Sequence, residues 1–185
     1  MPQESAALLL VDVQQGFQDA DFWGGNRNNP QAEENIARLL GYWRDRGRPV
    51  IHVRHVSDNT RSPLRPGQPG VEIRPEARPA EGEPLFEKNV NSAFIGTGLE
   101  AFLREKGIRD LVIAGITTNH CVSTTARMAG NLGFNTRVVA DATACFDRIG
   151  HDGRRFDAEA VHAISLANLH GEFATVVQTG ELLES

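Results

Sequence analysis

Short apolar runs that alternate with helical patterns are the feature of this sequence that most constrains its fold. The clearest runs are AALLLVDV at residues 6–13 and LVIAG at residues 111–115, and both are too short for a buried helix. Helical patterns lie between such runs, for example over residues 29–47 and 99–107, each closed by a glycine. Strands that alternate with helices predict βαβ units and a parallel sheet.

The rest of the chain continues this alternation. Apolar runs predict further strands, and apolar periodicity predicts further helices; the strands are at 49–53, 85–88, 136–140 and 173–177, and the helices at 121–132 and 157–169. A length of 185 residues suits one domain with a buried core. We therefore predict an α/β fold that forms a single domain over residues 1–185. It is a Rossmann-like open sheet, mostly parallel, with about six strands and helices on both faces.

Charge and cysteine content limit the possible partners. The net charge is −5, and no cluster of lysine and arginine stands out, so we expect neither nucleic acid nor a membrane as partner. The apolar run near the start is too short for a signal or membrane helix. Two cysteines do not make a disulfide scaffold, which favours a reducing, cytoplasmic location.

Residues 57–84 form the longest stretch without periodicity and hold most of the prolines. A loop of this length within a domain is usually functional or disordered. We expect a lid over the site or a contact with a neighbouring subunit; a solvated connector is the alternative.

Three reactive side chains fall at predicted strand ends. Asp12 ends the first strand, Lys88 ends the run LFEK, and Cys121 follows the strand at 111–115. Ligands bind open α/β sheets at the carboxyl ends of their strands, so the three groups are expected to meet there. Taken singly, Asp12 also suits a turn cap and Lys88 a surface charge.

Cys121 lies in the segment GITTNHCV, where a predicted helix follows a buried strand. Unpaired backbone N–H groups and the helix dipole at such a position favour thiolate over thiol. The same N–H groups can hold an oxyanion during acyl transfer. The alternative is that Cys121 is a small buried apolar residue.

Several motifs together resemble the isochorismatase-like cysteine hydrolases, which include nicotinamidases, N-carbamoylsarcosine amidases, and ureidoacrylate and biuret hydrolases. They are LLLVDVQQGF, FEKNVNSAFIGTGLEAFL, LVIAGITTNHCVSTTARMAGNLGF and VVADATACFD. The resemblance implies that Asp12, Lys88 and Cys121 are a catalytic triad. It also implies a cis Ile116–Thr117 bond, an oxyanion hole made by the N–H groups of Thr117 and Cys121, and a homo-oligomer, either dimer or tetramer.

This resemblance implies that the chain hydrolyses a C–N bond of a small amide, ureide or N-carbamoyl compound through a thioester on Cys121. An isochorismatase-type vinyl-ether hydrolase is the alternative within enzymes. A redox-sensing or binding protein, whose thiol is oxidised rather than acylated, is the alternative from another class.

Metal and cofactor are not expected. Nicotinamidases in the family carry a metal held by histidines after the second strand, where this chain has His52 and His55. Residues three apart in a strand face opposite sides of the sheet, so these two are not expected to share a metal. We interpret Cys145 as structural and His120 as a wall or surface residue.

Substrate contacts are predicted from position. Phe17, Phe22 and Trp23 follow the first strand and are candidates for the pocket wall, although aromatic residues there also suit core packing. Arg54 is a candidate clamp for a carboxylate, with a surface ion pair as the alternative. The remaining predicted contacts are Phe94 and Ile116.

Overall fold

The computed structural model describes residues 6–184. Residues 1–5 and 185, the ends of the predicted domain, lie outside this part of the chain. Within it, six strands form one sheet: β1 (Ala7–Val11), β2 (Val50–His55), β3 (Leu85–Lys88), β4 (Asp110–Ile116), β5 (Asn135–Ala144) and β8 (Thr175–Val177). A separate antiparallel pair consists of β6 (Arg148–Ile149) and β7 (Arg155–Phe156). The helices are α1 (Ala20–Trp23), α2 (Ala32–Asp45), α3 (Leu99–Glu105), α4 (Ser123–Asn131), α5 (Ala158–Ala167) and α6 (Thr179–Leu183).

The strand order in the sheet is β3-β2-β1-β4-β5-β8, and every neighbouring pair is parallel. The chain builds outward from β1 to β3 and then returns to place β4 on the other side of β1. The crevice at such a reversal of strand order is where open α/β sheets bind ligands. The predicted α/β class, with its parallel six-stranded sheet, is confirmed.

Helices cover both faces of the sheet, and β1 shows how its sequence allows this. Alternate residues of a strand point to opposite faces. Ala7, Leu9 and Val11 pack in the cluster that includes α3, α4 and α5, whereas Leu8 and Leu10 pack with α2 and α6. All five side chains are buried, which explains why β1 is a continuous apolar run rather than an alternating one.

Two elements near the site differ from their predicted form. The helix predicted at 121–132 is a π-helical turn over Thr118–Val122 followed by α4. Strand β5 extends to Ala144 through a shift of register against β4, in which Ile113 pairs with Val138 but Gly115 pairs with Thr143. Each feature adds residues to an otherwise regular pattern of backbone hydrogen bonds, one in a helix and one in a strand pair. Neither changes the order of apolar and polar residues, so the periodicity of the sequence does not predict them.

No helix within residues 6–184 combines the length and the apolar content that a membrane crossing requires.

Candidate active site

Four neighbouring strands each bring one functional side chain to the carboxyl edge of the sheet. In the spatial order of the sheet these are Lys88 at the end of β3, His55 at the end of β2, Asp12 directly after β1, and Cys121 in the turn after β4. The structure thus brings together the three residues that the sequence predicted, and it adds His55 to them.

The ammonium group of Lys88 lies at the centre of this cluster. Its Nζ is 2.5 Å from Asp12 Oδ2, 3.1 Å from His55 Nδ1 and 3.3 Å from Cys121 Sγ. Lys88, Asp12 and Cys121 are all buried, and the side chains of Lys88 and Asp12 are fully inaccessible. Buried charges persist only when they are paired and hydrogen-bonded, and this arrangement satisfies that requirement for the ammonium.

Backbone geometry at two strand ends allows this close approach. Asp12 has a φ of 54°, in the left-handed region, and its N–H donates to the carbonyl of Val53 at 2.9 Å. Gly115 pairs with Val11 and has a φ of 135°; a Cβ atom there would lie 1.9 Å from the carbonyl oxygen of Val11. Only glycine fits such a contact, so β4 can end against β1 and set the turn of Cys121 beside Asp12. The Ile116–Thr117 peptide bond that follows is cis.

The thiol of Cys121 is protonated at neutral pH. Its pKa is raised to about 12: burial is the largest cause, the carboxylate of Asp12 acts in the same direction, and Lys88 acts in the opposite direction. The expectation of a partly ionised sulfur at a helix start is therefore wrong. Desolvation of the thiolate outweighs the favourable position, because Cys121 is buried. Attack by this sulfur requires that its proton leaves as the new bond forms.

His55 is neutral and has a defined tautomer. Burial and the neighbouring ammonium of Lys88 lower its pKa. Because an ammonium can only donate, Nδ1 of His55 accepts from Lys88, and the ring's other nitrogen carries the proton. A backbone hydrogen bond to Val90 also acts on the ring. Sequence reasoning considered His55 only as a metal ligand; its place at the end of β2, between the ends of β3 and β1, was the signal that it missed.

A cavity of about 170 Å³ opens beside Asp12 and Cys121. One wall is aromatic, formed by Phe17, Phe22 and Trp23, with the rings of Phe17 and Trp23 4.6 Å apart. The indole N–H of Trp23 donates to the carbonyl of Gly16 at 2.8 Å, which leaves the ring face for packing. The remaining lining is His55, Ser57, Asn59, Ser62, Leu64, Asn91, Thr117 and His120.

The segment 57–84 supplies four of the residues that line the cavity. Its contributions are Ser57, Asn59, Ser62 and the buried Leu64. Gln14, three residues after β1, anchors this segment. Its side-chain amide donates to the carbonyl of His55, just before the segment, and to the carbonyl of Val71 within it, at 2.9 Å each.

Three predicted substrate contacts lie elsewhere. Arg54 forms an ion pair with Glu87 and lines a different surface groove. The ring of Phe94 stacks on Phe134 in the apolar core. Ile116 is fully buried with Phe17, and the lining of the cavity does not include it. In each case the side chain packs or pairs with a nearby residue instead of lining the cavity. The position of a residue in the sequence does not show such a contact.

The histidines of β2 do not form a metal pair. His52 contacts Glu83 at 2.8 Å, whereas His55 contacts Lys88. Within residues 6–184, the group of side chains close enough to hold a metal ion is Asp12, His55 and Cys121, whose ligand atoms lie within 4.8 Å of one another. Lys88 Nζ lies within 3.3 Å of an atom of each of these three residues.

Comparison with known proteins agrees with this fold. The family model described as the isochorismatase domain matches residues 6–181. The isochorismatase family protein YrdC of Bacillus subtilis is 47% identical over 181 residues, which cover 98% of this chain and 96% of that protein. Nicotinamidase 3 of Arabidopsis thaliana is 30% identical over 196 residues, which cover 97% of this chain and 88% of that protein.

A solved structure from Chromobacterium violaceum, of the isochorismatase family, superimposes with a TM-score of 0.94. It is 48% identical, and the match covers 100% of this chain and 94% of that chain. Fold and relatives define the class of this protein as a hydrolase built on a parallel, six-stranded α/β sheet. More particularly, the chain belongs to the isochorismatase-like cysteine hydrolase family, as the sequence motifs implied.

Proposed function

We propose that this hydrolase cleaves the C–N bond of a small uncharged amide, ureide or N-carbamoyl compound through a thioester on Cys121. Asp12 serves as the proton acceptor and donor, and Lys88 stabilises the charges. The observation that carries the proposal is the position of Lys88 Nζ, 2.5 Å from Asp12 Oδ2 and 3.3 Å from Cys121 Sγ, beside a cavity. Such a nucleophile, base and cation are the groups that acyl transfer requires.

Attack and deprotonation occur together in this proposal. The thiol of Cys121 is protonated at rest, and Asp12 Oδ2 is already engaged by Lys88. The other oxygen, Asp12 Oδ1, is buried and has no hydrogen-bond partner among the described residues, which makes it the acceptor for the thiol proton. As the S–C bond forms, the proton passes to Asp12, and Lys88 donates to the sulfur that loses it.

The carbonyl oxygen of the substrate becomes an oxyanion at this point. The backbone N–H groups of Thr117 and Cys121, both of which line the cavity, are the proposed donors to it. Collapse breaks the C–N bond, and Asp12 returns its proton to the departing amine or ammonia. Water then attacks the thioester, again with Asp12 as base, and releases the carboxylic acid and the free thiol.

The cavity supports an uncharged substrate. Its volume, about 170 Å³, suits a small molecule, and none of its lining residues in the described part of the chain is a lysine or arginine. Carboxylates are usually recognised by such cations, which disfavours an isochorismate-like substrate with its carboxylate groups. Nicotinamidase 3, 30% identical to this chain, is named for cleavage of an amide.

The test is mass spectrometry of the intact protein after mixing with a panel of amides. 4-Nitrobenzamide paired with 4-carboxybenzamide forms a matched set, because the nitro and carboxylate groups have nearly the same shape but differ in charge. We expect an acyl adduct on Cys121 and release of ammonia from the neutral member, with little of either from the anionic member. The Cys121→Ala variant serves as the control and should show neither.

Two outcomes would contradict the proposal. Cleavage of a vinyl ether that persists in the Cys121→Ala variant would identify an isochorismatase-type reaction instead. Oxidation of Cys121 to a sulfenic acid or disulfide, with no acyl adduct from any amide or ureide, would identify a redox sensor.

We also propose that the enzyme works in the cytoplasm as a homo-oligomer, a dimer or tetramer, without a metal or other cofactor. Both cysteines are free, which fits a reducing compartment. Analytical ultracentrifugation tests the assembly, and a monomer would contradict it.

A further inference from the structure

We propose that His55 is a positioning residue: its Nδ1 accepts one N–H of the Lys88 ammonium and thereby aims another N–H at the sulfur of Cys121. This inference rests on the proposed function, since it concerns the same site. It assigns to His55 the orientation of the Lys88 ammonium, which Asp12 and Cys121 alone do not fix.

The number of acceptors around Lys88 is the first argument. A lysine ammonium has three protons to donate. Within hydrogen-bond distance of Nζ the described residues offer three side-chain acceptors: Asp12 Oδ2 at 2.5 Å, His55 Nδ1 at 3.1 Å and Cys121 Sγ at 3.3 Å. The three contacts together fix the rotation of the ammonium, whereas two would leave one N–H unplaced in a buried site.

The order of the strands is the second argument. Lys88 ends β3 and Asp12 follows β1, and β2 lies between these strands. To reach Asp12, the side chain of Lys88 therefore passes the end of β2. His55 is the last residue of β2 and pairs in register with Lys88.

His55 is itself held from several sides, as a positioning residue must be. The amide of Gln14 donates to the His55 carbonyl at 2.9 Å, and the His55 N–H donates to Gln14 Oε1 at 2.8 Å. The ring also has a backbone hydrogen bond to Val90. The ring can therefore present the lone pair of Nδ1 to Lys88 without a change of tautomer.

The charges that face the ring keep it an acceptor. They are Lys88 from β3, Asp12 beyond β1, and Asp58 from the segment after β2, with the neutral thiol of Cys121 nearby. Burial and the ammonium lower the pKa of His55 by more than the two carboxylates raise it, so the net shift is downward. A protonated ring would lose its lone pair and repel Lys88, so the contact exists only in the neutral form.

Two substitutions separate the acceptor from the bulk of the ring. His55→Leu removes the lone pair, whereas His55→Asn can return an oxygen near the position of Nδ1. The first readout is the rate at which iodoacetamide alkylates Cys121 at pH 8, resolved by peptide mapping, which needs no substrate. The second is kcat and KM with the best amide of the panel, measured from pH 5 to pH 9.

We expect His55→Leu to lower both the alkylation rate and kcat by about tenfold or more, the usual effect of losing a hydrogen bond to a charged group. KM should change by less than about threefold, and His55→Asn should recover most of the loss. His52→Leu, on the same strand but paired with Glu83, is the matched control and should leave the alkylation rate unchanged. In the parent enzyme, protonation of His55 should lower kcat toward acid pH, and this fall should weaken in His55→Leu.

Alkylation at the parent rate in a folded His55→Leu variant would overturn the inference. An equal loss in the Leu and Asn variants, both with parent-like melting curves, would also overturn it, because ring bulk rather than an acceptor would then matter. A loss confined to KM would make His55 a substrate contact. Failure of the proposed function has a different result: the Cys121→Ala variant would keep its turnover, whereas the alkylation rates would still report on His55.

Discussion

Cys121 and Cys145 are placed similarly in the fold, yet their surroundings differ. Each follows a strand of the central sheet, Cys121 after β4 and Cys145 directly after β5, and each is buried. Burial raises the pKa of both thiols to about 12. Cys145 donates from its sulfur to the carbonyl of Ala158 at 3.2 Å. Cys121 instead accepts from Lys88 and lines a cavity.

The comparison separates burial from reactivity. Burial alone yields a protonated and unreactive thiol, which is the state of Cys145. At Cys121 the same desolvation is accompanied by a cation, a carboxylate with a free oxygen, and access for a small molecule. The chemical difference between the two cysteines therefore lies in their neighbours and not in their acidity at rest.

The largest expected effect is the contrast between substitutions of the two cysteines. Cys121→Ala should lower kcat/KM on the order of 10⁴-fold or more, because the covalent step is lost. Cys145→Ser should stay within about threefold of the parent, since a hydroxyl can also donate to the Ala158 carbonyl. Steady-state kinetics on both variants measure the difference. Equal losses would mean that Cys121 acts only through packing.

The next effect is expected from Lys88→Met, which takes the ammonium away from Cys121. We expect kcat to fall by about 10²–10³-fold, as when one electrostatic donor is removed from an active site. The variant also leaves Asp12 buried without its partner, at a cost of about 3–5 kcal/mol in unfolding free energy. Urea denaturation measures this cost.

Arg54→Met is the matched control for Lys88→Met, because Arg54 pairs with Glu87 at the surface. Its cost should not exceed about 1 kcal/mol. A similar destabilisation in the two variants would show that the buried position of the Lys88–Asp12 pair carries no special weight.

A moderate effect is expected from pH. Below a pKa of about 12, the thiolate fraction of Cys121 should rise about tenfold for each unit of pH. The logarithm of its alkylation rate should therefore climb steadily from pH 7 to pH 10, and that of Cys145 should climb in parallel at a lower level. Peptide mapping separates the two sites. A plateau for Cys121 below pH 9 would reveal a thiolate stabilised at rest.

The smallest effect is expected from Asn91→Leu. The amide of Asn91 lies 3.6 Å from the sulfur of Cys121, a weak contact at the rim of the cavity. We expect kcat/KM to fall by less than about tenfold. Asn89→Leu, whose amide contacts Asp58 instead, should leave kcat/KM unchanged. A larger loss for Asn91→Leu would assign that residue a direct contact with the substrate.

Sequence reasoning could place the strand ends because each strand is an apolar run that stops at a polar residue. Asp12 and Lys88 were found in this way, and Cys121 was found from the strand before it. The protonated state of Cys121 could not be found, because it depends on how deeply the folded chain encloses the sulfur. The role of His55 was missed because the sequence does not show that β2 lies between β3 and β1. The π-helical turn at Thr118–Val122 could not be predicted either, because it does not change the order of apolar and polar residues.

The reacting groups and the cavity wall belong to structurally different parts of the chain. Asp12, His55 and Lys88 lie at the ends of hydrogen-bonded strands. A movement of any one of these strand ends would disturb the backbone hydrogen bonds to its neighbours. Ser57, Asn59 and Ser62 project from an irregular connection that no such ladder holds. We therefore expect an exchange of residues 57–62 between relatives to change which substrate is accepted and to leave the reaction itself unchanged.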